Sequence, residues 1–331
     1  MGKHDFFQKA VPRRFCREYV EACGGSAQLF MFMATALGIK PMMDHWVEPS
    51  RLQVLRDVCD HYGLYLKADI IHVNVHRDYA AGAIGGDKLS STISLGFPLS
   101  APEADMSAAP GGKPHVHVFI ARDKRLLNHG MWYPAICSGR VTWPPYADGL
   151  DYGKHLGYPA CCIRFFRHFN DWNRFSFLAE INRHSSGSAC FLCNPLLKDR
   201  VFSYIYHMPC SWNCQATLSL AGQLRREIAA REPELVQEAD RHLRLPALVF
   251  YERRHYVFDG RLTGPDTLEY DQVFFPDSFY EGFEYLERLK AGDSLRAEAG
   301  GVHVFRRGRE IDFIEAKKGF APEEPFLVQF T

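Results

Sequence analysis

Ten cysteines stand at positions 16, 23, 59, 137, 161, 162, 190, 193, 210 and 214. Six of them fall between 161 and 214, in three motifs: GYPACCIRFF at 157–166, CFLC at 190–193 and HMPCSWNC at 207–214. In a reducing compartment thiols stay free, so such a cluster reads as metal binding or catalysis and not as a disulfide framework. The deprotonated sulfur is both the soft metal ligand and the nucleophile. Proline is favoured at the first position of a helix, so Pro159 predicts a helix start with Cys161 and Cys162 in its first turn. Unpaired N–H groups and the positive dipole end stabilise a thiolate there. Pro209 predicts the same for Cys210, with Cys214 one turn on and on the same face. Two helix starts that both present cysteine form a cage for an anionic thiolate–metal centre. Cys16, Cys23, Cys59 and Cys137 read instead as small buried core residues.

Only Cys190 and Cys193 have the CxxC spacing of a zinc knuckle; the other pairs are CC and CxxxC. Iron–sulfur clusters accept less regular spacing. The expected cofactor is therefore a [4Fe–4S] cluster on Cys161, Cys162, Cys210 and Cys214, with Zn2+ as the alternative. The leading functional expectation is an enzyme that holds its cluster by three cysteines. The open iron would then do non-redox chemistry on a small metabolite, as a lyase, dehydratase or sulfur transferase. The candidate catalytic groups are Cys190 and Cys193 as sulfur-accepting thiols on a covering loop, His207 as proton donor or fourth ligand, and Arg164 as an anion binder. The alternative is a closed metal site in a binding module for RNA or a protein partner. No GxSxG, HExxH, phosphate-binding or dinucleotide-binding loop occurs, nor the CxxxCxxC loop of radical chemistry.

The pairing of GYPACC with HMPCSWNC resembles the cysteine signature of an uncharacterised, largely archaeal family of unknown function. In that family a GYP-CC helix start is followed by a PCS--C helix start. The resemblance covers roughly 150–225. It brings no settled activity, and CFLC lies outside the pattern.

The elements that must position these thiols follow from composition and periodicity. At 331 residues the chain is long enough for about two domains. It is 47% hydrophobic and holds 25 Phe and 15 Tyr, enough to build a core and to exclude disorder as the main state. Thirty-nine basic and 39 acidic residues cancel, so nothing drives strong non-specific nucleic-acid binding. MGKHDFF lacks the apolar core of a signal peptide, and no apolar run is long enough to span a bilayer; a cytoplasmic protein is expected.

Residues 12–63 read as helical, with Pro12 opening, Gly24-Gly25 closing and Ser26 capping the next helix. Strands are expected at 69–75, 91–97 and 115–121, and a surface loop at 98–114. An irregular packed stretch follows at 129–160, then helices at 160–184 and 210–243. From 246 the pattern is β-rich, with a hairpin at Arg307-Gly308 and one helix near 279–291. The expected fold is α+β: a mixed N-terminal region (1–127), a central helical cysteine-rich region (128–245) and a small β-rich C-terminal domain (246–331). His115 and His117 share one strand face, as do His72 and His76; His155 precedes GYP. Trp132, Tyr133, Trp143, Tyr146 and Trp212 are aromatic candidates for core or pocket.

Overall fold

The computed structural model describes residues 11–25, 28–75, 93–107, 111–128, 135–137, 140–142, 149–169, 176–198, 202–251, 254–276, 285–316 and 324–331. The fold is mixed α+β, with two largely antiparallel sheets, each in its own compact unit. One unit comprises Cys16–Gly25 and Met31–Tyr158; the other comprises Pro159–Thr331 with described residues 11–15 and 28–30. The division between Tyr158 and Pro159 differs from the boundaries expected at 127/128 and 245/246.

The unit ending at Tyr158 is built on six strands: β1 (Met42–Val47), β2 (Tyr65–Val75), β3 (Ile93–Pro98), β4 (Gly111–Ala121), β5 (Ala135–Cys137) and β6 (Arg140–Thr142). Their order is β1-β4-β2-β3-β5-β6. β1 corrects the all-helical expectation for 12–63. MMDHWV buries Met42, Met43 and Val47 and lies antiparallel on β4, with Trp46 opposite His117. Sheet pairing, invisible in a local window, overrides the helical neighbourhood. The helix Leu52–His61 forms as expected; the one expected to open at Pro12 begins instead at Arg17 and runs to Cys23, closed by Gly24 at φ 66°. Glu103–Ser107 is a short helix inside the expected 98–114 loop. The Ser26 cap falls outside the described residues.

The helix Gly149–His155 ends in a Schellman turn. Tyr158 N–H bonds to Gly153 O (2.9 Å) and Gly157 N–H to Lys154 O (2.9 Å). Gly157 sits at φ +70°, the left-handed conformation that this cap requires.

The second unit holds seven antiparallel strands: β7 (Ala247–Tyr251), β8 (Arg254–Leu262), β9 (Thr267–Phe274), β10 (Ser294–Glu298), β11 (Gly301–Arg306), β12 (Arg309–Glu315) and β13 (Phe326–Val328). Their order is β12-β11-β10-β9-β8-β7-β13. This is the β-rich C-terminal sheet the sequence predicts. Arg307 (φ 50°) and Gly308 (φ 73°) turn β11 into β12, as a two-residue hairpin with two left-handed positions demands. The inward residues Leu248, Tyr256, Phe258, Leu295 and Val302 pack with Leu289 of the helix Leu286–Lys290. Each such aliphatic side chain contributes roughly 1.5–3 kcal/mol by leaving water. The helices Ala160–Phe169, Phe177–Arg183, Gln215–Ala229 and Pro233–Leu243 complete this unit.

Candidate metal centre

Four thiols converge in the second unit. The Sγ atoms of Cys161, Cys162, Cys210 and Cys214 all lie within 4.8 Å of one another. Cys161 Sγ is 3.6 Å from Cys214 Sγ, Cys162 Sγ is 3.7 Å from Cys214 Sγ, and the vicinal pair is 3.9 Å apart. These four cysteines can hold a metal ion. Soft thiolates at this spacing suit zinc or iron.

The positioning follows from the chain. Pro159 O accepts the first helical bond, from Ile163 N–H at 3.0 Å, so the helix Ala160–Phe169 carries Cys161 and Cys162 in its first turn as expected. The second motif departs from expectation. Its helix begins at Gln215, not at Pro209, and Cys214 is its N-cap, with Leu218 N–H bonded to Cys214 O at 2.8 Å. Cys210 therefore lies in the turn before the helix. Both helices still offer a sulfur at their N-terminal end, where the dipole favours negative charge.

The thiols interact strongly with one another. Cys162 donates its S–H toward Cys214 and holds the Cys214 thiol down at about 4; Thr217, by side chain and backbone, and Cys210 add to this against the cost of burial. The same bond to Cys214, then burial, pushes Cys162 far up. Burial, then the Cys214 neighbour, raises Cys210 to about 12. The opposed shifts of Cys162 and Cys214 describe one shared charge: the first proton leaves readily and the second is held. A bound cation would supply the charge that removes the rest.

Thr217 was not anticipated. It is fully buried, with Oγ1 3.3 Å from Cys162 Sγ and 3.0 Å from His207 Nε2. Its only sequence signal is its place three residues after Cys214, on the same side of the helix. His207, 6% exposed, thus reaches the tetrad through Thr217. The segment 202–206 before it forms no strand. It is irregular, fixed by Tyr204 OH donating to Asp240 (2.8 Å), which also receives Arg225 (2.9 Å).

Cys190 and Cys193 flank a short 3-10 turn, Phe191–Cys193, and join no metal-ligand group among the described residues. Cys193 is fully buried, with Sγ 4.0 Å from Cys214 O, and burial raises its pKa. The expected covering loop is instead a held turn. Cys190 N–H bonds to Trp212 O (3.0 Å), Phe191 N–H to Thr331 O (3.2 Å) and Asn194 Nδ2 to Leu243 O (2.8 Å). Arg164 is exposed on its helix and takes no part in the hydrogen bonds of the tetrad. Trp212 is core: 2% exposed, bonded through Nε1 to Asn182 Oδ1 and edge-on to Phe330. Trp132, Tyr133, Trp143, Tyr146 and His76 lie outside the described residues, and His155 belongs to the other unit.

That other unit carries the histidine face. His117 Nε2 is 2.9 Å from Asp44 Oδ2, which also accepts from Tyr152 OH at 2.6 Å. Burial alone would raise the Asp44 pKa, but the hydrogen bonds from His117 and Tyr152 outweigh it and leave it below the ordinary value. Trp46 stacks on His117 with ring centroids 4.4 Å apart, and His72 Nδ1 is 2.8 Å from Ser94 Oγ. Asp44 and Tyr152 carried no recognisable motif.

No helix among the described residues is long and apolar enough to cross a membrane. No protein-family model matches the chain, and no curated protein and no solved structure matches it either.

Proposed function

We propose that the tetrad closes round a single metal ion, zinc in preference to a [4Fe–4S] cluster. On this reading the chain is a metal-stabilised binding module and not an iron–sulfur lyase or sulfur transferase. The sulfur separations of 3.6, 3.7 and 3.9 Å carry the reading. One tetrahedral ion with bonds of about 2.3 Å to sulfur sets its ligands about 3.8 Å apart. A four-iron cluster gives each thiolate its own iron and spreads the sulfurs further. Four converging thiols also leave no open position, which is the mark of a structural site.

A protein partner is favoured over RNA, because 39 basic and 39 acidic residues leave no excess for a phosphate backbone. Ten cysteines without a disulfide support a reducing compartment, the cytoplasm. We also propose membership of the largely archaeal cysteine-motif family; its support is that the four cysteines of that signature are the four that converge.

The test is anaerobic purification with an absorption spectrum and analysis of zinc, iron and sulfide. A colourless protein with one zinc per chain is expected. A brown protein with stoichiometric iron and sulfide overturns the zinc reading and restores the cluster enzyme.

A further inference from the structure

We propose that the loaded centre is chemically two-sided: Cys161 and Cys210 form an edge that attacks a small soft electrophile, an alkyl donor, while Cys162 and Cys214 are held inert. This rests on the metal reading above. Two independent features divide the ligands the same way.

The first is exposure. Cys162 and Cys214 are 1% and 6% exposed, whereas Cys161 and Cys210 are half-buried. A reagent reaches the second pair first.

The second is hydrogen bonding. Cys162 Sγ has Thr217 Oγ1 at 3.3 Å and the backbone N–H of Cys210. Thr217 in turn has His207 Nε2 at 3.0 Å. With the Nε2–H tautomer of His207 donating to the hydroxyl oxygen, the Thr217 hydroxyl proton is directed onto the buried pair, Cys162 and Cys214. Cys214 receives the backbone N–H of Thr217. Among the described residues the hydrogen-bond partners of Cys161 Sγ are thiols alone. O–H and N–H donors draw charge off a thiolate and lower its nucleophilicity. Once the ion has displaced the thiol protons, Cys161 and Cys210 keep the larger share of the negative charge.

The reaction balances without a redox partner. A sulfur lone pair of Cys161 or Cys210 forms an S–C bond as the bond from carbon to the leaving group breaks. The leaving group departs with that electron pair as an anion. The product is a neutral thioether, a poorer ligand than the thiolate, so alkylation loosens the metal.

The experiment uses the full chain loaded with zinc, sub-stoichiometric iodoacetamide, peptide mapping by mass spectrometry, and zinc release followed with a chromogenic chelator. Within the tetrad the first adduct is expected on Cys161 or Cys210. Hydrogen bonds to a charged group are strong enough that Cys162 should react at least about tenfold more slowly. Thr217→Val should raise alkylation of Cys162 by a similar factor with zinc still bound, and Thr217→Ser should restore the wild-type pattern. Wild-type alkylation of Cys162 or Cys214 as fast as Cys161 overturns the proposal. So does a folded, zinc-bound Thr217→Val chain with an unchanged pattern. If Thr217→Val does not fold, the wild-type order of adducts decides. A wild-type chain that takes up no zinc defeats the metal reading itself, whereas a zinc-bound chain alkylated first at Cys162 defeats only the two-sided centre.

Discussion

Cys161 and Cys162 are adjacent in the chain and differ in everything that governs their chemistry. The helical turn that places them rotates one sulfur toward Thr217 and leaves the other half-open. On the metal reading each tetrad thiol contributes one corner, and three thiolates cannot close a structural site. Cys162→Ala, Cys210→Ala and Cys214→Ala should therefore each reduce bound metal by tenfold or more at matched free zinc. Cys59→Ala, at a buried thiol outside the tetrad, should retain the wild-type content. Elemental analysis after dialysis against buffered zinc reads both, and full occupancy in Cys210→Ala would remove that corner. At this scale the sequence was legible where residue type alone suffices: cysteine is rare, so its clustering shows. It was silent on Thr217, because a hydroxyl residue in a helix has no spacing that separates a thiolate partner from an ordinary core threonine. It also could not exclude Cys190 and Cys193, whose CxxC spacing suits a ligand pair that the turn at Phe191–Cys193 does not bring to the other four.

The GYP of the first motif is a piece of local engineering between two helices. Gly157 closes the Schellman turn of one, and Pro159 offers the carbonyl that begins the next. The glycine is required twice over. Its φ of +70° disfavours any side chain, and a Cβ there would stand 2.6 Å from Pro41 Cδ. Gly157→Ala should cost of order 1–3 kcal/mol, read as a lower urea midpoint at unchanged slope. An unaltered midpoint would show that Pro41 yields freely. Proline and glycine punctuation made this helix start readable from sequence. The same rule misplaced the second start, because Pro209 opens a turn carrying Cys210 and the helix waits for Gln215. The strand β1 escaped for a different reason. Its partner β4 lies some seventy residues downstream, and register such as Met42 opposite Ala121 leaves no local periodicity to detect.

For the molecule as a whole, buried histidines tie stability to pH. His45, His72 and His242 are 8%, 1% and 1% exposed, and burial is the main cause that lowers each to about 4. The unfolded chain takes up protons near 6.5, before the folded one does. The stability these groups confer is thus full above about pH 6.5 and is lost as pH falls from there toward 4. The loss is about 2 kcal/mol per histidine by pH 5. The urea midpoint should fall between pH 7 and pH 5. Amide exchange along β2 and β4 reports the unit without the thiol tetrad, where metal loss does not intrude. His72→Gln should flatten the fall there; an unchanged pH profile in that variant would show that His72 is not the group being titrated. The α+β class and the β-rich C-terminal sheet were legible because strand alternation and turn residues recur along 247–315. The division between Tyr158 and Pro159 was not, since which distant segments adhere is a property of side-chain packing that composition does not report.

The support of the thiol turn also has an order in time. Thr331 N–H bonds to Ala189 O, 142 residues away, at 2.8 Å, and Thr331 O accepts from Phe191 N–H. A ribosome delivers all four tetrad cysteines long before it delivers Thr331. During that interval the thiols must meet without the strand-like segment that later pins the turn beside them. Joining Cys162 to Cys214 closes a loop of only 52 residues, a smaller entropic cost than the 142-residue closure. On the metal reading, an ion captured early would hold that shorter loop shut while the sheet is still being made, and native yield should then depend on the supply of the ion during synthesis and not only on its affinity for the finished protein.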